Sequence, residues 1–448
     1  VQVERFEGIR STGHERSRVR KSSRVWFKLD SLIADRMHVQ NRYLRFRLLV
    51  LLAFAGAAVL LAPAAGAKQT ANWAKPQIKA VVAHGLMAPS ASAFKPNAPL
   101  TQPELKEILA ALPTDAVVYP DGSGDTTTTT STTPITPTTT DPSHDPTTTT
   151  TPSTTDPSHD PNATTTTTTD GSGPPPGSPK SGGSVSVSAF DTALVKQLGL
   201  SGAAARFRFV IRQAGVSAPS RYGTETVARL LGLRINHPAS QDKLELLPTA
   251  PITRAEAAYS IAQLLTFTGE ETQWVEDTSL LLETPTLNSW QKRILTYAVS
   301  FIGYPYIWGG SSPTRQTVFG QTVTGGFDCS GFVWRVYKLR SYAGGGMLKS
   351  TIRGRTTYVM SGEVGRSKRI AIDALEPGDV LFFGSKGTRS KPADINHTAI
   401  YLGDGWLIQS SGYGVAVAPL EGWYTTRFAW ARRPLAEAGL ENVYSVNP

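Results

Sequence analysis

The chain has 448 residues, 40% of them hydrophobic, enough for more than one packed core. Its net charge is +10, but residues 1–47 hold 12 Lys and Arg against 5 Asp and Glu, so most of the excess sits at one end. The remainder has no long basic run, which argues against a nucleic-acid partner.

Residues 48–61 are apolar and uncharged, follow Arg42, Arg45 and Arg47, and lead into Ala65-Gly66-Ala67. A basic start, a short apolar run and small residues spaced Ala-x-Ala describe a secretory signal peptide, with cleavage expected after Ala67. The run is short for a bilayer span, so membrane contact is expected only transiently, through this leader. Met37 stands just ahead of the basic cluster, and a start there gives a leader of ordinary length. The expected destination is secretion.

Residues 68–118 read as helix, loop, helix. Trp73, Ile78, Val81, Val82 and Leu86 have helical spacing, which Gly85 and Pro89 end. Thr101, Pro103 and Glu104 then form a capping box with proline in the first turn. Residues 119–185 are dominated by Thr, Pro, Ser, Asp and Gly and repeat Asp-Pro-Ser-His-Asp-Pro at 141–146 and 156–161. Such a composition has little apolar surface to offset ordering entropy, so it predicts a disordered linker with a span of about 40–50 Å. Its two histidines lack the Cys or carboxylate company of a metal site.

Residues 186–286 predict a second helical region, with Thr253 and Glu256 as another capping pair and Ile261, Leu264 and Leu265 on its apolar face. The layout of Trp, Gly, Phe-x-Pro and Thr-x-x-Glu resembles the surface-layer homology (SLH) module. That resemblance implies small helical units that anchor the chain to secondary cell-wall polymers.

From residue 287 to 448 the pattern becomes α+β. Ile294, Leu295, Ala298, Val299 and Ile302 line one face of a helix ending at Gly303. Residues 379–383, 398–402, 406–410 and 414–418 are short β-prone runs between Gly-rich turns, predicting a small antiparallel sheet.

Cys329 is the single cysteine, so an exported chain cannot hide it in an intramolecular disulfide. Ser330 to Leu339 reads as a helix, which places Cys329 at its start, where the dipole and free amides favour a thiolate and an oxyanion. His397 is the one histidine after residue 237 and hence the one candidate base in this region. Gln409, on the next predicted strand, is the candidate for holding its imidazole by the other nitrogen. Gly331 leaves room for close helix packing, and Asp328 can cap the helix.

The segments Tyr304 to Gly310, Phe327 to Phe332, Leu375 to Phe383 and Asn396 to Gly403 resemble, in order, the motifs of the NlpC/P60 cysteine peptidases. The resemblance implies a papain-like α+β fold in which an antiparallel sheet packs on a catalytic helix. It also implies hydrolysis of peptidoglycan stem peptides, commonly between D-glutamate and a diamino acid such as meso-diaminopimelate, with no metal or cofactor. Cys329, His397 and Gln409 then carry the chemistry, while Tyr306, Asp328 and Ser330 line the subsites, Asp328 facing a peptide ammonium. Trp308 is a substrate-binding candidate in the same motif. Two departures stand out: a neutral Gln409 where the family usually has His, and a longer insertion at 311–326. The same dyad suits an amidase or acyl-transferase, and Gln409 leaves open a catalytically inactive wall-binding scaffold.

Overall fold

A computed structural model describes residues 72–112, 183–283 and 285–440. The leader, the Met37 start, the Ala67 cleavage site and nearly all of the Thr-rich stretch lie outside the described residues. The helices are α1 (Lys75–Ala83), α2 (Gln102–Ala111), α3 (Val187–Gln197), α4 (Ser201–Gln213), α5 (Tyr222–Leu230), α6 (Arg254–Leu264), α7 (Glu270–Leu281) and α8 (Ser289–Val299).

Three apolar residues organise the first seven. Leu100, Val185 and Ile252 are fully buried. Their backbones close a ring of hydrogen bonds: Leu100 N–H to Ile252 C=O, Ile252 to Val185 and Val185 to Leu100, each 2.9 Å. The next residue in each segment, Thr101, Ser186 or Thr253, caps a helix by accepting the amide three positions on. The helical regions before and after the Thr-rich stretch are therefore one body, with α1 packed on α6 and Gln102 N–H bonded to Gly183 C=O at 2.6 Å. Two separate modules joined by a spacer is not how the flanks sit. Arg254 ties the halves together, reaching Glu104 and the Phe94 and Met87 carbonyls. The Thr101/Glu104 capping box is complete. At Thr253 only half of it forms, because the Glu256 carboxylate turns to His237 (2.7 Å) and Arg234 (3.7 Å).

The C-terminal half continues with β1 (Ser311–Ser312), β2 (Gln316–Val318), β3 (Gln321–Val323), β4 (Gly326–Phe327), α9 (Cys329–Trp334), α10 (Leu348–Thr351), α11 (Thr357–Gly362), β5 (Val380–Gly384), β6 (Ile395–Gly403), β7 (Trp406–Ser411), β8 (Gly414–Pro419), α12 (Trp423–Arg427), β9 (Phe428–Arg432) and α13 (Pro434–Glu437). Five strands form one antiparallel sheet in the order β8-β7-β6-β5-β9. Four of these are the predicted runs. The fifth, β9, escaped the sequence reading because it follows α12 directly, with no Gly or Pro turn to mark its start, and two of its five residues are alanine. The insertion at 311–326 folds as a small β2–β3 hairpin between the short β1–β4 pair.

One apolar core runs from the helical body into this half, taking in Ile252, Ile294, Phe332 and Ile408. Phe207 of α4 meets Trp406 of β7 edge-on with ring centroids 5.6 Å apart. Arg221 and Arg229 satisfy the carbonyls that end α8: Arg221 donates to Ser300 (2.7 Å) and Ile302 (2.9 Å), Arg229 to Gly303 (2.8 Å).

Candidate active site

Asp328 caps α9, accepting the Gly331 amide on Oδ1 at 2.5 Å and the Gly309 amide on Oδ2 at 3.0 Å. Cys329 is thereby set at the first helical position. The predicted helix to Leu339 is real, but after Trp334 it widens into a π-helical turn, Arg335–Leu339. Gly331 fits where nothing larger does: a Cβ there would lie 1.9 Å from the Gly310 carbonyl oxygen.

Cys329 is 7% exposed, and burial, followed by the Asp328 charge, pushes its thiol up to about 12. Arg355 and the Ser330 and Thr398 amides pull the other way without prevailing. The expected resting thiolate is thus not what this site favours. Desolvation and the Asp328 charge outweigh the pull of Arg355 and of the backbone amides at the sulfur. The Ser330 amide donates to the sulfur, whereas that of Gly331 is committed to Asp328.

The Thr398 amide at the sulfur puts Cys329 beside β6, next in sequence to His397. His397 and Gln409 lie on adjacent strands. Ile400 pairs with Ile408, so the two are diagonal neighbours on one face of the sheet. His397 Nε2 and Gln409 Oε1 are 2.5 Å apart, and both residues are buried. The Gln409 side-chain amide then donates to the Tyr424 hydroxyl. An amide oxygen can only accept, so the imidazole carries its proton on Nε2 and Nδ1 is the basic nitrogen. Phe383 and Trp423 pack on the ring at 5.7 and 5.9 Å between centroids.

The substrate-binding candidates divide. Trp308 is 40% exposed, whereas Tyr306 is buried, its phenol raised by burial and by the nearby Cys329, Asp328 and Asp242 charges. Asp328 and Ser330 are buried and already bonded. Arg355 donates to both Asp328 oxygens at 3.0 Å, to Ser330 Oγ at 2.7 Å, and to the Gly309 and Gly310 carbonyls at 3.1 Å. The place expected for a peptide ammonium beside Asp328 is held by this guanidinium. Arg355 had no sequence signal beyond its charge, being 27 residues away in an irregular segment. Tyr424 was likewise missed, as were Asn236 and Asp242 of the helical body. The last two accept the backbone amides of Tyr306 (2.9 Å) and Trp308 (3.0 Å).

Residues 303–433 match the NlpC/P60 family. The C-terminal part of the chain is an NlpC/P60 domain. It contains the site residues from Tyr306 to Tyr424, while Asn236 and Asp242 lie outside it. Similar proteins include a probable endopeptidase of Mycobacterium tuberculosis, 32% identical over 124 residues, which are 28% of this chain and 24% of that protein. The peptidoglycan endopeptidase RipA of the same species is 31% identical over 132 residues, 28% of this chain and 24% of its own. A gamma-D-glutamyl-L-lysine dipeptidyl-peptidase of Bacillus subtilis is 28% identical over 124 residues, 28% of this chain and 33% of its own. The chain therefore spans a quarter to a third of the length of these relatives, within the NlpC/P60 domain.

Proposed function

We propose that this chain is a secreted, wall-associated cysteine endopeptidase that cleaves peptidoglycan stem peptides, at the bond between D-glutamate and a diamino acid. The observation that carries the reading is the buried His397–Gln409 pair, 2.5 Å apart, beside the helix start that bears Cys329. The peptidase names of the domain's relatives support the reaction class.

In this reading Sγ of Cys329 attacks the scissile carbonyl carbon as Nδ1 of His397 takes the thiol proton. A thiol that rests protonated suits deprotonation in step with attack. The tetrahedral intermediate collapses to a thioester, and the imidazolium gives its proton to the departing amine. Water, deprotonated by the same nitrogen, then hydrolyses the thioester and restores the thiol. Gln409 holds the ring in the reactive tautomer without adding charge. The SLH-like helical body supplies attachment to a wall polymer.

The buried, high-pKa thiol favours a second reading, a wall-binding scaffold without activity. One experiment separates them. The intact chain and its Cys329→Ala variant are incubated with purified peptidoglycan under reducing conditions, and soluble fragments are identified by mass spectrometry. Fragments with new D-glutamyl ends, absent with the variant, support hydrolysis; no fragments from either, with both proteins retained on the wall, leaves the scaffold.

A further inference from the structure

The segment Pro305 to Gly310 is bonded along two edges. One edge pairs with the approach to Cys329. Tyr306 bridges Phe327 in parallel, the Phe327 amide donates to the Pro305 carbonyl and the Ile307 amide to the Phe327 carbonyl, both at 3.2 Å, and the Asp328 amide donates to the Gly310 carbonyl at 3.1 Å. The Gly309 amide returns a bond to Asp328 Oδ2 at 3.0 Å. These bonds reach the residue just before Cys329, so the start of α9 lies where this segment puts it.

The amides of Tyr306 and Trp308 alternate with that of Ile307 and go to the helical body instead. Asn236 Oδ1 accepts the first at 2.9 Å and Asp242 Oδ2 the second at 3.0 Å. Two side chains thus do for alternate amides what the carbonyls of a neighbouring strand do in a sheet, and the buried Tyr306 amide is spared the cost of having no acceptor. Both acceptors lie outside residues 303–433. They are also firmly held. Asn236 precedes the buried His237, whose Nε2 is 2.7 Å from Glu256 Oε1, whose amide donates to Glu245 at 2.5 Å, and whose ring meets Trp73 edge-on with centroids 4.6 Å apart. Asp242 belongs to the 3-10 helix Ala239–Leu244 and is itself buried. Trp73 comes from before the Thr-rich stretch and Glu256 from α6, so the anchor draws on the body as a whole.

We propose that Asn236 and Asp242 are positioning residues for Cys329: they hold the outer edge of the Pro305 to Gly310 segment, whose inner edge fixes Asp328 and with it the start of α9. The helical body is then part of what orders the active site, in addition to any attachment it provides. Neither residue touches the reacting atoms; each acts through the backbone between it and Asp328. The proposal rests on the peptidase reading only for what the positioned thiol does.

The test uses the intact chain and reads alkylation of Cys329 by iodoacetamide at fixed pH, which needs no peptidase activity. Beside it, hydrolysis of L-alanyl-γ-D-glutamyl-L-lysine is followed, a soluble peptide that takes wall attachment out of the measurement. Asn236→Ala and Asp242→Ala should each raise the alkylation rate about threefold, as the helix start loosens around a buried thiol, and lower kcat per folded molecule about tenfold with KM within about twofold. Asn236→Asp and Asp242→Asn, which keep an oxygen for the same amide, should recover most of both effects. Thr101→Ala, which removes the cap of α2, should lower the thermal midpoint with neither change. Alkylation and kcat unchanged in both alanine variants, the same changes in Thr101→Ala, or losses that the conservative variants fail to recover overturn the proposal. Alkylation that follows the expected order in a chain that cleaves nothing supports the positioning and counts against the peptidase reading alone.

Discussion

Gln409 Oε1 stands 2.5 Å from His397 Nε2, and the other end of the same amide is fastened to the Tyr424 hydroxyl. A neutral side chain thereby does what a charged or aromatic third residue does elsewhere: it fixes one tautomer and one ring orientation. Gln409→Leu removes that hold, and kcat for peptidoglycan fragments should fall about 10- to 100-fold. Tyr424→Phe, which only frees the amide to rotate, should cost less, about threefold, with KM unchanged. A Gln409→Leu enzyme with wild-type kcat would place the control of His397 elsewhere.

The thiol offers a pH test that needs no substrate, because Cys329 is the only cysteine. Its folded pKa, about 12, lies above the ordinary 9.0, so the thiolate fraction keeps growing through the range where a free cysteine has levelled off. Alkylation by iodoacetamide should rise about tenfold per pH unit from 7 to past 10 in the folded chain, while the unfolded chain levels near 9. A folded-state plateau below pH 9 would contradict the burial argument.

Gly331 can be tested by one methyl group. Its Cβ would strike the Gly310 carbonyl oxygen at 1.9 Å and the Arg355 guanidinium at 2.6 Å, the latter being the group that locks Asp328. Gly331→Ala should lower the thermal midpoint by several degrees, corresponding to about 1–3 kcal/mol, and reduce activity more than that loss of folded protein explains. Differential scanning calorimetry paired with turnover per folded molecule checks both.

In the helical body, Asp191 of α3 is fully buried beside Arg234, and burial raises its carboxyl to about 7. The unfolded chain releases this proton near the ordinary 3.8 and the folded chain near 7, so Asp191 favours the fold below about pH 4 and loses that contribution as pH rises toward 7. Asp191→Asn, an uncharged near-isostere, should raise the thermal midpoint at pH 7.5 and flatten its decline between pH 4 and 7. Circular dichroism melts at several pH values measure the difference; an identical decline in the variant would refute the assignment.

The parts legible in the residues were local ones. Helix faces at 75–83 and 289–299, the Thr101 cap and four of five sheet strands follow from apolar spacing and capping chemistry, which act over a few residues. Strand β9 was hidden because it runs straight on from α12 with no turn residue between them and contains two alanines, so no local signal separates it from the helix. Ser186, the residue after Val185, has no capping-box partner, so the place of Val185 in the ring with Leu100 and Ile252 became visible only with the backbone bonds between those segments.

For the site, the sequence alone determined which groups can do chemistry: one cysteine at a helix start, one histidine within reach, one amide on the neighbouring strand. Those follow from residue type, from the local helix and strand patterns around each group, and from the order of the motifs. Tertiary structure decided how each group is charged and what else meets it. It raised the Cys329 thiol by desolvation, closed Arg355 over Asp328, set Tyr424 behind Gln409, and brought Asp242 from the helical body to the Trp308 amide. Desolvation and pairing depend on distances between segments far apart in the chain, and no local pattern encodes those distances.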